Sequence, residues 1–540
     1  MTQALLYSLS GAEERNGTMN QSAVFRWPAV PGPWKKISPA FWLAFLTAGI
    51  GGFITHLYIF TNLLPNHDSI GGLFTDNNML DIGRWSSSPM SLPSTFFQLP
   101  VVIGLVSVLA LGAAAGLTVR VLEISHPVHI VLTSALMVTY PAACAIFSYL
   151  FTADAYFMAL FLNALAVWCT KKYRWGWTAA ILMMAWACGT YQAFICYAIG
   201  LFLIDCILAL LKGEEVPGVV VRGLKYIGIC LASLALYYVV LKIVLTVTGT
   251  ELADYQGLSG LGLISLAEYF SRVPEAYRIF FDYLLTPSFL DSFFCFVLRA
   301  GFVYAAAALV GLAVMNGLLR DPLRLALTAA GAALLPLALN FVALLAAGGE
   351  VHHLMIYAFV LVFVLGIKLT ELIMARLISA GRPGWTGVFW PNLVLCAVLA
   401  WCGFYTDNIA YLRMELRYEN SLALANRIAA RAENLEGYTT DAPIAIVGRL
   451  PIDLYGQTVS ELSEYDSITG TDGFMLQCYY SGRDVLEYCI GLPMSQSTAE
   501  QWDHLYKSGI LYQTPNWPDQ GCMFMFEGMV VVKLSDVYIE

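Results

Sequence analysis

The residues best able to do chemistry lie in one polar stretch, residues 66–85, between two long apolar segments. Charged residues make up only 12% of the chain, yet this stretch holds one imidazole, one guanidinium and three carboxylates. They are His67, Arg84, Asp68, Asp76 and Asp81. A carboxylate here suits a reaction in which an acceptor hydroxyl loses its proton as it attacks, so Asp68, next to His67, is the candidate general base. A solvated loop carboxylate is the alternative interpretation of Asp68.

Arg84 lies three residues after Asp81, at the spacing of an ion pair within one helical turn. The alternative is that Arg84 binds a phosphate group, for which its planar fork of N–H donors is well suited. Arg272, Arg278 and Arg299 are further candidates for phosphate binding. The first two each follow a glutamate at helical spacing, so a local ion pair is the alternative explanation for them.

Other polar residues stand at the ends of apolar runs. Asp154 begins such a run, where it either caps a helix or belongs to the site. Tyr191 and Gln192 can line a sugar site by stacking and hydrogen bonding, and a polar turn is the alternative. His352 is a further candidate for substrate binding; it and His353 are adjacent and lack the spacing of metal ligands, so no metal site is predicted. The sequence predicts no cofactor and leaves a divalent metal requirement open.

The elements that must position these residues are apolar. Of the 540 residues, 58% are hydrophobic, and the mean hydropathy is +0.67. Soluble domains contain roughly 45–50% apolar residues, so repeated apolar runs of about 20 residues predict a polytopic α-helical membrane protein with about eleven transmembrane helices. The predicted spans cover residues 40–64, 100–118, 129–151, a fourth that ends at 171–174, 177–189, 194–211, 226–247, 293–318, 325–347, a tenth that ends near 376, and 388–404.

Clusters of lysine and arginine predict the orientation. Counted from a cytoplasmic N-terminus, every cluster falls on the inner face, as the positive-inside rule requires. The clusters are Lys35/Lys36, Arg120, Lys171/Lys172/Arg174, Lys212/Arg222/Lys225, Arg320/Arg324 and Arg376/Arg382. We therefore expect a cytoplasmic segment at 1–36, a transmembrane domain at 37–404 with outer loops at 65–98 and 249–291, and an extracytoplasmic domain at 405–540. The candidate site residues other than Arg299, which falls inside a predicted span, then lie on the outer face.

The tail, residues 405–540, predicts a small α/β domain. Its charged first stretch, about 407–435, indicates a helix, as does the stretch near 498–508. Two apolar runs separated only by Glu527-Gly528 indicate a β-hairpin.

Most of the 12 cysteines fall in apolar segments, where cysteine acts as a small hydrophobic residue. Cys478 and Cys489 lie in the polar tail and could form a disulfide if the tail is extracytoplasmic. Free thiols are the alternative.

The sequence contains no Walker loop, GxGxxG motif or DxD-type nucleotide site. If the protein is a transferase, a lipid-carried donor at the outer interface therefore suits it better than a soluble nucleotide. The net charge of −9 would argue weakly against nucleic acid in a soluble chain, whereas in a membrane protein the placement of lysine and arginine is more informative than their sum. No nucleic-acid partner is predicted.

Several short motifs, in their order and topology, resemble the bacterial Gtr-type membrane glucosyltransferases, the glucosyltransferase II group. The resemblance runs from about residue 45 to the C-terminus. The motifs are Asn66-His67-Asp68, Gly83-Arg84-Trp85, Thr152-Ala153-Asp154-Ala155-Tyr156, Gly189-Thr190-Tyr191-Gln192, Trp517-Pro518 and Gly528-Met529-Val530-Val531-Val532-Lys533-Leu534.

The resemblance implies a GT-C-like enzyme in the bacterial cytoplasmic membrane. Such an enzyme takes a sugar, here expected to be glucose, from a polyprenyl-phosphate carrier and adds it with inversion to a surface glycan, such as O-antigen or a cell-wall polysaccharide. Asp68 occupies the place of the acidic residue that members carry in the first outer loop. Related families often have two adjacent acidic residues there, whereas this chain has Asp68-Ser69, so Asp154 or Asp81 would supply any second acid.

Two other functions stay open. One is a lipid-linked-sugar flippase or solute transporter, because Asp205, Lys242 and Arg299 fall inside predicted spans. The other is a glycan polymerase or ligase, which would use a diphosphate-linked oligosaccharide instead of a monophosphate-linked monosaccharide.

Overall fold

The computed structural model describes residues 37–74, 77–94, 96–253, 266–287, 292–345, 350–450, 468–471, 475–476 and 479–536. The predictions that concern Asp76 and the pairing of Cys478 lie outside the described residues.

The first half of the chain is a series of helices, most of them long and apolar. They are α1 (Pro39–Thr55), α2 (Leu57–Thr61), α3 (Ser87–Met90), α4 (Pro100–Val121), α5 (Pro127–Thr139), α6 (Pro141–Ser148), α7 (Leu150–Lys172), α8 (Gly176–Thr190), α9 (Ile195–Lys212) and α10 (Val216–Thr248). Short 3₁₀ turns cover Leu80–Ile82 and Gln192–Phe194.

The second half continues with seven more helices before a small sheet. They are α11 (Leu266–Ser271), α12 (Val273–Leu285), α13 (Ser292–Met315), α14 (Pro322–Leu339), α15 (Val342–Leu345), α16 (Val360–Ser379) and α17 (Trp390–Ala432). Short 3₁₀ turns precede α14, α16 and α17 at Leu318–Arg320, His353–Phe359 and Pro383–Phe389.

Nine helical stretches in the described part of the chain are long and apolar enough to cross a membrane. The helices at the first and fifth predicted spans, α1 and α8, have 17 and 15 residues, and a span needs about 20. The chain is thus a mostly helical protein of membrane-spanning character, as predicted. The count of eleven spans stays a prediction.

The first span is shorter than predicted because the helix breaks at His56, where α1 ends and α2 begins. At its start, Ser38 accepts a hydrogen bond from the Phe41 backbone N–H at 3.2 Å, and Pro39 occupies the first turn. Both helices pack closely on α4 at its glycines: a Cβ at Gly104 would lie only 2.5 Å from the ring of Phe60 in α2, and one at Gly116 only 2.6 Å from the ring of Phe41 in α1. Small residues of this kind let membrane helices approach one another.

Charged side chains tie the helices together at one end of the bundle, which we call the basic end. The ammonium of Lys171, at the end of α7, lies 2.5 Å from the carboxylate of Asp205 in α9, which also pairs with Arg222 of α10 at 3.4 Å. Lys212 pairs with Glu123 at 2.7 Å. The opposite end, where α6 stops and α7 starts, is called the loop end.

The last long helix, α17, is continuous for 43 residues. We predicted a span over about 388–404 and a charged helical stretch over about 407–435, and the structure joins the two in this one helix. The sequence between them contains no proline or glycine after Gly403, so nothing ends the helix there. Asp407 is fully buried, and neither of its carboxylate oxygens has a hydrogen-bond partner among the described residues.

After α17 the chain forms a small domain around a four-stranded sheet with the order β2-β1-β4-β3. The strands are β1 (Pro443–Val447), β2 (Ser495–Gln496), β3 (Met523–Phe526) and β4 (Met529–Lys533), and the helices are α18 (Tyr479–Asp484) and α19 (Ala499–Lys507). Strand β1 is parallel to β2 and β4, and β3 is antiparallel to β4.

Two predictions about this domain are confirmed. The β3–β4 hairpin turns at Glu527-Gly528, where both residues have positive φ, as the tight turns of hairpins require. The helix predicted near 498–508 is α19. Thr498 caps it through a reciprocal capping box with Gln501.

Candidate functional site

Asp68 lies in a turn that Asn66 organises. The Asn66 side-chain oxygen accepts hydrogen bonds from the backbone N–H groups of Asp68 and Ser69, at 3.1 and 2.8 Å. Its amide nitrogen donates to the Ser148 carbonyl at the end of α6, at 2.9 Å. Asx turns of this kind fix the direction of the chain. The turn therefore anchors the loop to the loop end of the bundle.

The Asp68 carboxylate is accessible. Its side chain is 42% exposed, and its Oδ1 lies 3.5 Å from Nε2 of His67, which is itself 25% exposed. A carboxylate that is exposed yet fixed through its own backbone can meet a hydroxyl group and accept its proton.

Arg84 lies in a cluster of aromatic rings. Its guanidinium donates to the Tyr156 hydroxyl at 2.8 Å and lies 4.6 Å from the centre of the Tyr191 ring. These two rings are stacked on each other, 4.6 Å apart and nearly parallel. The cluster brings together Arg84 and Tyr191, which were predicted separately, and fixes the cation by a hydrogen bond and a cation–π contact.

Gln192 belongs to the same cluster. Its side-chain amide donates to the hydroxyl of Tyr237 in α10 at 2.8 Å, and that hydroxyl donates to the Gly83 carbonyl at 3.1 Å. Gly83, directly before Arg84, is thus attached to α10, and α10 is linked in turn to Gln192, just after α8.

Trp85 packs where only a glycine leaves room. A Cβ at Gly189 would lie 2.4 Å from the Trp85 ring. Next to it, the Ser86 backbone N–H donates to the Gly189 carbonyl at 3.0 Å, and the Ser86 hydroxyl lies 2.8 Å from that of Thr190. Two of the motifs that carried the family resemblance therefore contact each other directly.

Asp154 is fully buried inside α7. Tyr149 is the N-cap of that helix, so the interpretation of Asp154 as an N-cap is wrong. The hydroxyl of Ser94, from the same loop as Asp68, donates to one carboxylate oxygen of Asp154, and the Ala155 N–H lies 2.8 Å from the other. Asp154 thus anchors the far end of the loop.

Asp81 has an exposed side chain, and its backbone carbonyl accepts from Ala253 N–H at 2.8 Å. His352 is half-buried and starts the 3₁₀ turn before α16. Its neighbour His353 lies with Nδ1 2.6 Å from the hydroxyl of Thr469 in the C-terminal domain. The loop end of the bundle is therefore in contact with that domain.

Two of the three other predicted phosphate ligands, Arg272 and Arg278, lie at α12. Arg272 donates to the Leu344 carbonyl at 3.2 Å and lies 4.0 Å from Glu268. Arg278 is exposed and forms ion pairs with Glu275 and with Asp282. Both thus make the local ion pairs given as the alternative explanation.

Sequence reasoning did not single out Tyr156 and Tyr237, which belong to the Arg84 cluster, or Ser94, which contacts Asp154. Tyr156 stands in one of the motifs quoted for the resemblance, which was the available signal. Tyr237 lies in an apolar span, where the sequence does not reveal which way its hydroxyl points.

Within the described ranges, no group of three His, Cys, Asp or Glu side chains is placed to hold a metal ion. The expectation that the protein uses no cofactor stays a prediction.

The late motifs belong to the fold of the C-terminal domain. Trp517 is 4% exposed. The guanidinium carbon of Arg431 lies over the Trp517 ring, 4.4 Å from the ring centre. The stretch from Gly528 to Leu534 contains the hairpin turn and β4.

Comparison with known proteins gives one match. A family model described as glucosyl transferase GtrII matches residues 57–363, a segment that contains every predicted site residue from His67 to His352. No curated protein matches the chain, and no solved structure does. Because the model covers more than half of the chain, the protein belongs to the GtrII glucosyl transferase family.

Proposed function

We propose that the protein is an inverting glycosyltransferase that moves a hexose, glucose by family, from a polyprenyl-phosphate carrier to a surface glycan. The observation that carries the proposal is the accessible Asp68–His67 pair at the loop end of the bundle. The other end carries Lys171, Lys212 and Arg222. The positive-inside rule assigns that basic end to the cytoplasm, so the reaction takes place at the outer face of the bacterial cytoplasmic membrane.

In the proposed reaction, the carboxylate of Asp68 accepts the proton of an acceptor hydroxyl. The oxygen of that hydroxyl attacks the anomeric carbon of the lipid-linked sugar. The bond between this carbon and the phosphate oxygen breaks, and polyprenyl phosphate leaves with the bonding electron pair. A single displacement inverts the configuration at the anomeric carbon. The proton then passes from Asp68 to water.

Arg84 is the group best suited to receive the leaving phosphate. A phosphate leaving group needs little protonation, so a cation can assist its departure by stabilising the charge. The guanidinium of Arg84 is half-buried and is oriented by Tyr156 and Tyr191. This fixed orientation is what a preorganised phosphate site requires.

The residues that favoured a transporter have structural roles in this arrangement. Asp205 pairs with Lys171 and accepts from the Tyr226 hydroxyl at 2.9 Å. Lys242 is exposed, over the ring of Tyr238, and Arg299 donates to the Leu285 carbonyl. Paired or exposed charges of this kind give less support to a transport pathway than to an enzyme site at the bundle end.

The experiment is transfer from radiolabelled polyprenyl-phosphate glucose, in membranes that contain the protein and a surface-glycan acceptor. The wild type should form labelled glycan, and Asp68→Asn should lose the activity. Asp503→Asn is the matched control, because Asp503 is an exposed carboxylate that pairs with Lys507 in α19.

Full activity of Asp68→Asn would remove Asp68 from the mechanism. A protein that uses only a diphosphate-linked oligosaccharide would be a polymerase or ligase. Movement of label across the membrane without transfer to glycan would identify a flippase.

A further inference from the structure

The C-terminal domain packs directly on the loop that carries Asp68. Ile70 is fully buried and Leu73 is 7% exposed. Both belong to the same apolar cluster as Val485 and Leu486 of the domain, whose side chains are fully buried. A little further along, the ring centres of Phe74 and Tyr488 lie 5.6 Å apart. Two residues after Asp68, the loop is therefore part of the core of the domain.

A carboxylate of the domain reaches this loop at Gly71. A Cβ at Gly71 would lie 3.0 Å from Oδ2 of Asp484. The other oxygen, Oδ1, accepts from Arg483 at 3.1 Å, and Arg483 also pairs with Glu487. Asp484 is 15% exposed. Burial raises its pKa above the ordinary value of 3.8, although Arg483 lowers it. A second acidic group thus stands three residues from Asp68 along the loop.

The helix bundle holds the loop at Ser148. The Ser148 carbonyl accepts from the Asn66 side chain, and the Ser148 hydroxyl donates to the Thr469 carbonyl of the domain at 3.0 Å. Thr471 of the same segment accepts from Arg417 of α17 at 3.0 Å. The loop, the bundle end and the domain consequently meet at one place.

In the proposed reaction the lipid-linked donor comes from the bilayer, which surrounds the helix bundle. The glycan acceptor is water-soluble, and the C-terminal domain is the part of the protein outside the bundle that contacts the Asp68 loop. A carboxylate of the domain can accept hydrogen bonds from sugar hydroxyls, because an ionised carboxylate offers only acceptor oxygens.

We propose that the C-terminal domain forms the acceptor half of the active site, and that Asp484 binds a hydroxyl of the acceptor sugar beside Asp68. This inference rests on the proposed transfer reaction. It assigns a substrate-binding role to a residue outside the segment that the family model matches.

The first test is the kinetics of Asp484→Asn in the transfer assay, with acceptor and donor varied separately. We expect the KM for acceptor to rise about tenfold, since the variant loses one charge-assisted hydrogen bond. The KM for donor should not change, nor should kcat at saturating acceptor, because loss of uniform binding raises KM alone. Asp503→Asn should leave all three constants as in the wild type.

The second test adds a methyl group without removing any charge. Gly71→Ala should displace the Asp484 carboxylate and raise the KM for acceptor in the same way. The double variant Gly71→Ala/Asp484→Asn should be no worse than Asp484→Asn alone, because groups that act through one contact are not additive. Equal thermal midpoints of the three variants and the wild type would separate a binding defect from unfolding of the domain.

The outcomes distinguish this inference from the proposed function. If the wild type transfers no sugar from the polyprenyl-phosphate donor, the proposed function fails. If the wild type is active, Asp68→Asn is inactive and Asp484→Asn keeps the wild-type KM for acceptor, only the role of Asp484 is overturned. A rise in the donor KM alone would equally contradict the assignment of the domain to the acceptor.

Discussion

The guanidinium of Arg84 lies 4.6 Å from the centre of the Tyr191 ring, and the Tyr156 ring is stacked on the other tyrosine. A loop cation is thereby fixed by two helices, α7 and α8, that are separate in sequence. Residues of three short motifs therefore form one cluster, and substitutions in it can test how the orientation of Arg84 affects activity.

Arg84→Lys should reduce kcat/KM by about 10- to 100-fold, as expected for a lost hydrogen bond to a charged group. Lysine keeps the charge but lacks the planar fork that contacts Tyr156 and Tyr191 together. Kinetics with varied donor measure this effect. Tyr156→Phe removes only the hydroxyl partner and should cost less than Arg84→Lys. Wild-type kinetics for Arg84→Lys would show that its charge alone matters.

Asn66→Ala should lower kcat, because alanine removes the two turn bonds and the bond to Ser148 that hold the Asp68 backbone. Misplacement of a catalytic group reduces the rate even when the group itself is intact. The assay is single-turnover transfer. Asn62→Ala is the control, because among the described residues the Asn62 amide donates to Tyr58 and Thr61 of its own helix end. Equal rates for the two variants would contradict the positioning role of Asn66.

The contribution of Asp484 to the stability of the C-terminal domain should fall as the pH rises through the carboxyl range. Burial raises the pKa of Asp484 from its ordinary value of 3.8, so the folded domain holds this proton more tightly than the unfolded chain does. The contribution to stability is present below the unfolded pKa and is lost as the pH rises through the higher folded pKa. Thermal unfolding at a series of pH values should therefore show a smaller decrease in this window for Asp484→Asn. An identical pH profile would contradict the prediction.

Asp407→Leu should raise the thermal midpoint of the purified protein. Burial of a carboxylate that lacks a hydrogen-bond partner among the described residues is unfavourable. Replacement of buried ion pairs by apolar residues can stabilise proteins by about 1–4 kcal/mol, and we expect the gain at Asp407 to be of the same order. Asp205→Leu is the contrasting variant, since it leaves Lys171 and Arg222 without their carboxylate, and it should lower the midpoint. A lower midpoint for Asp407→Leu would point to a partner that this carboxylate serves.

Hydropathy and turn chemistry predicted the helical elements and the β3–β4 hairpin, because each depends on residues close together in the sequence. The contact between Gly71 and Asp484 depends on how the domain packs on the loop, and nothing near either residue encodes it. The same holds for Tyr237, whose hydroxyl reaches Gly83 from an apolar helix. The continuity of α17 past residue 404 was not predicted, because the sequence shows a rise in charge there but not that the helix runs on through it.

Because α17 is continuous, it sets both the distance of the C-terminal domain from the membrane and the rotation of the domain about the helix axis. At ~1.5 Å per residue, its 43 residues extend over about 65 Å, roughly twice the ~30 Å hydrocarbon thickness of a bilayer. A helix has a phase: one inserted residue turns everything beyond it by about 100°. The number of residues between Gly403 and the end of α17 therefore decides which face of the domain meets the Asp68 loop. It decides in this way whether Asp484 lies next to that loop.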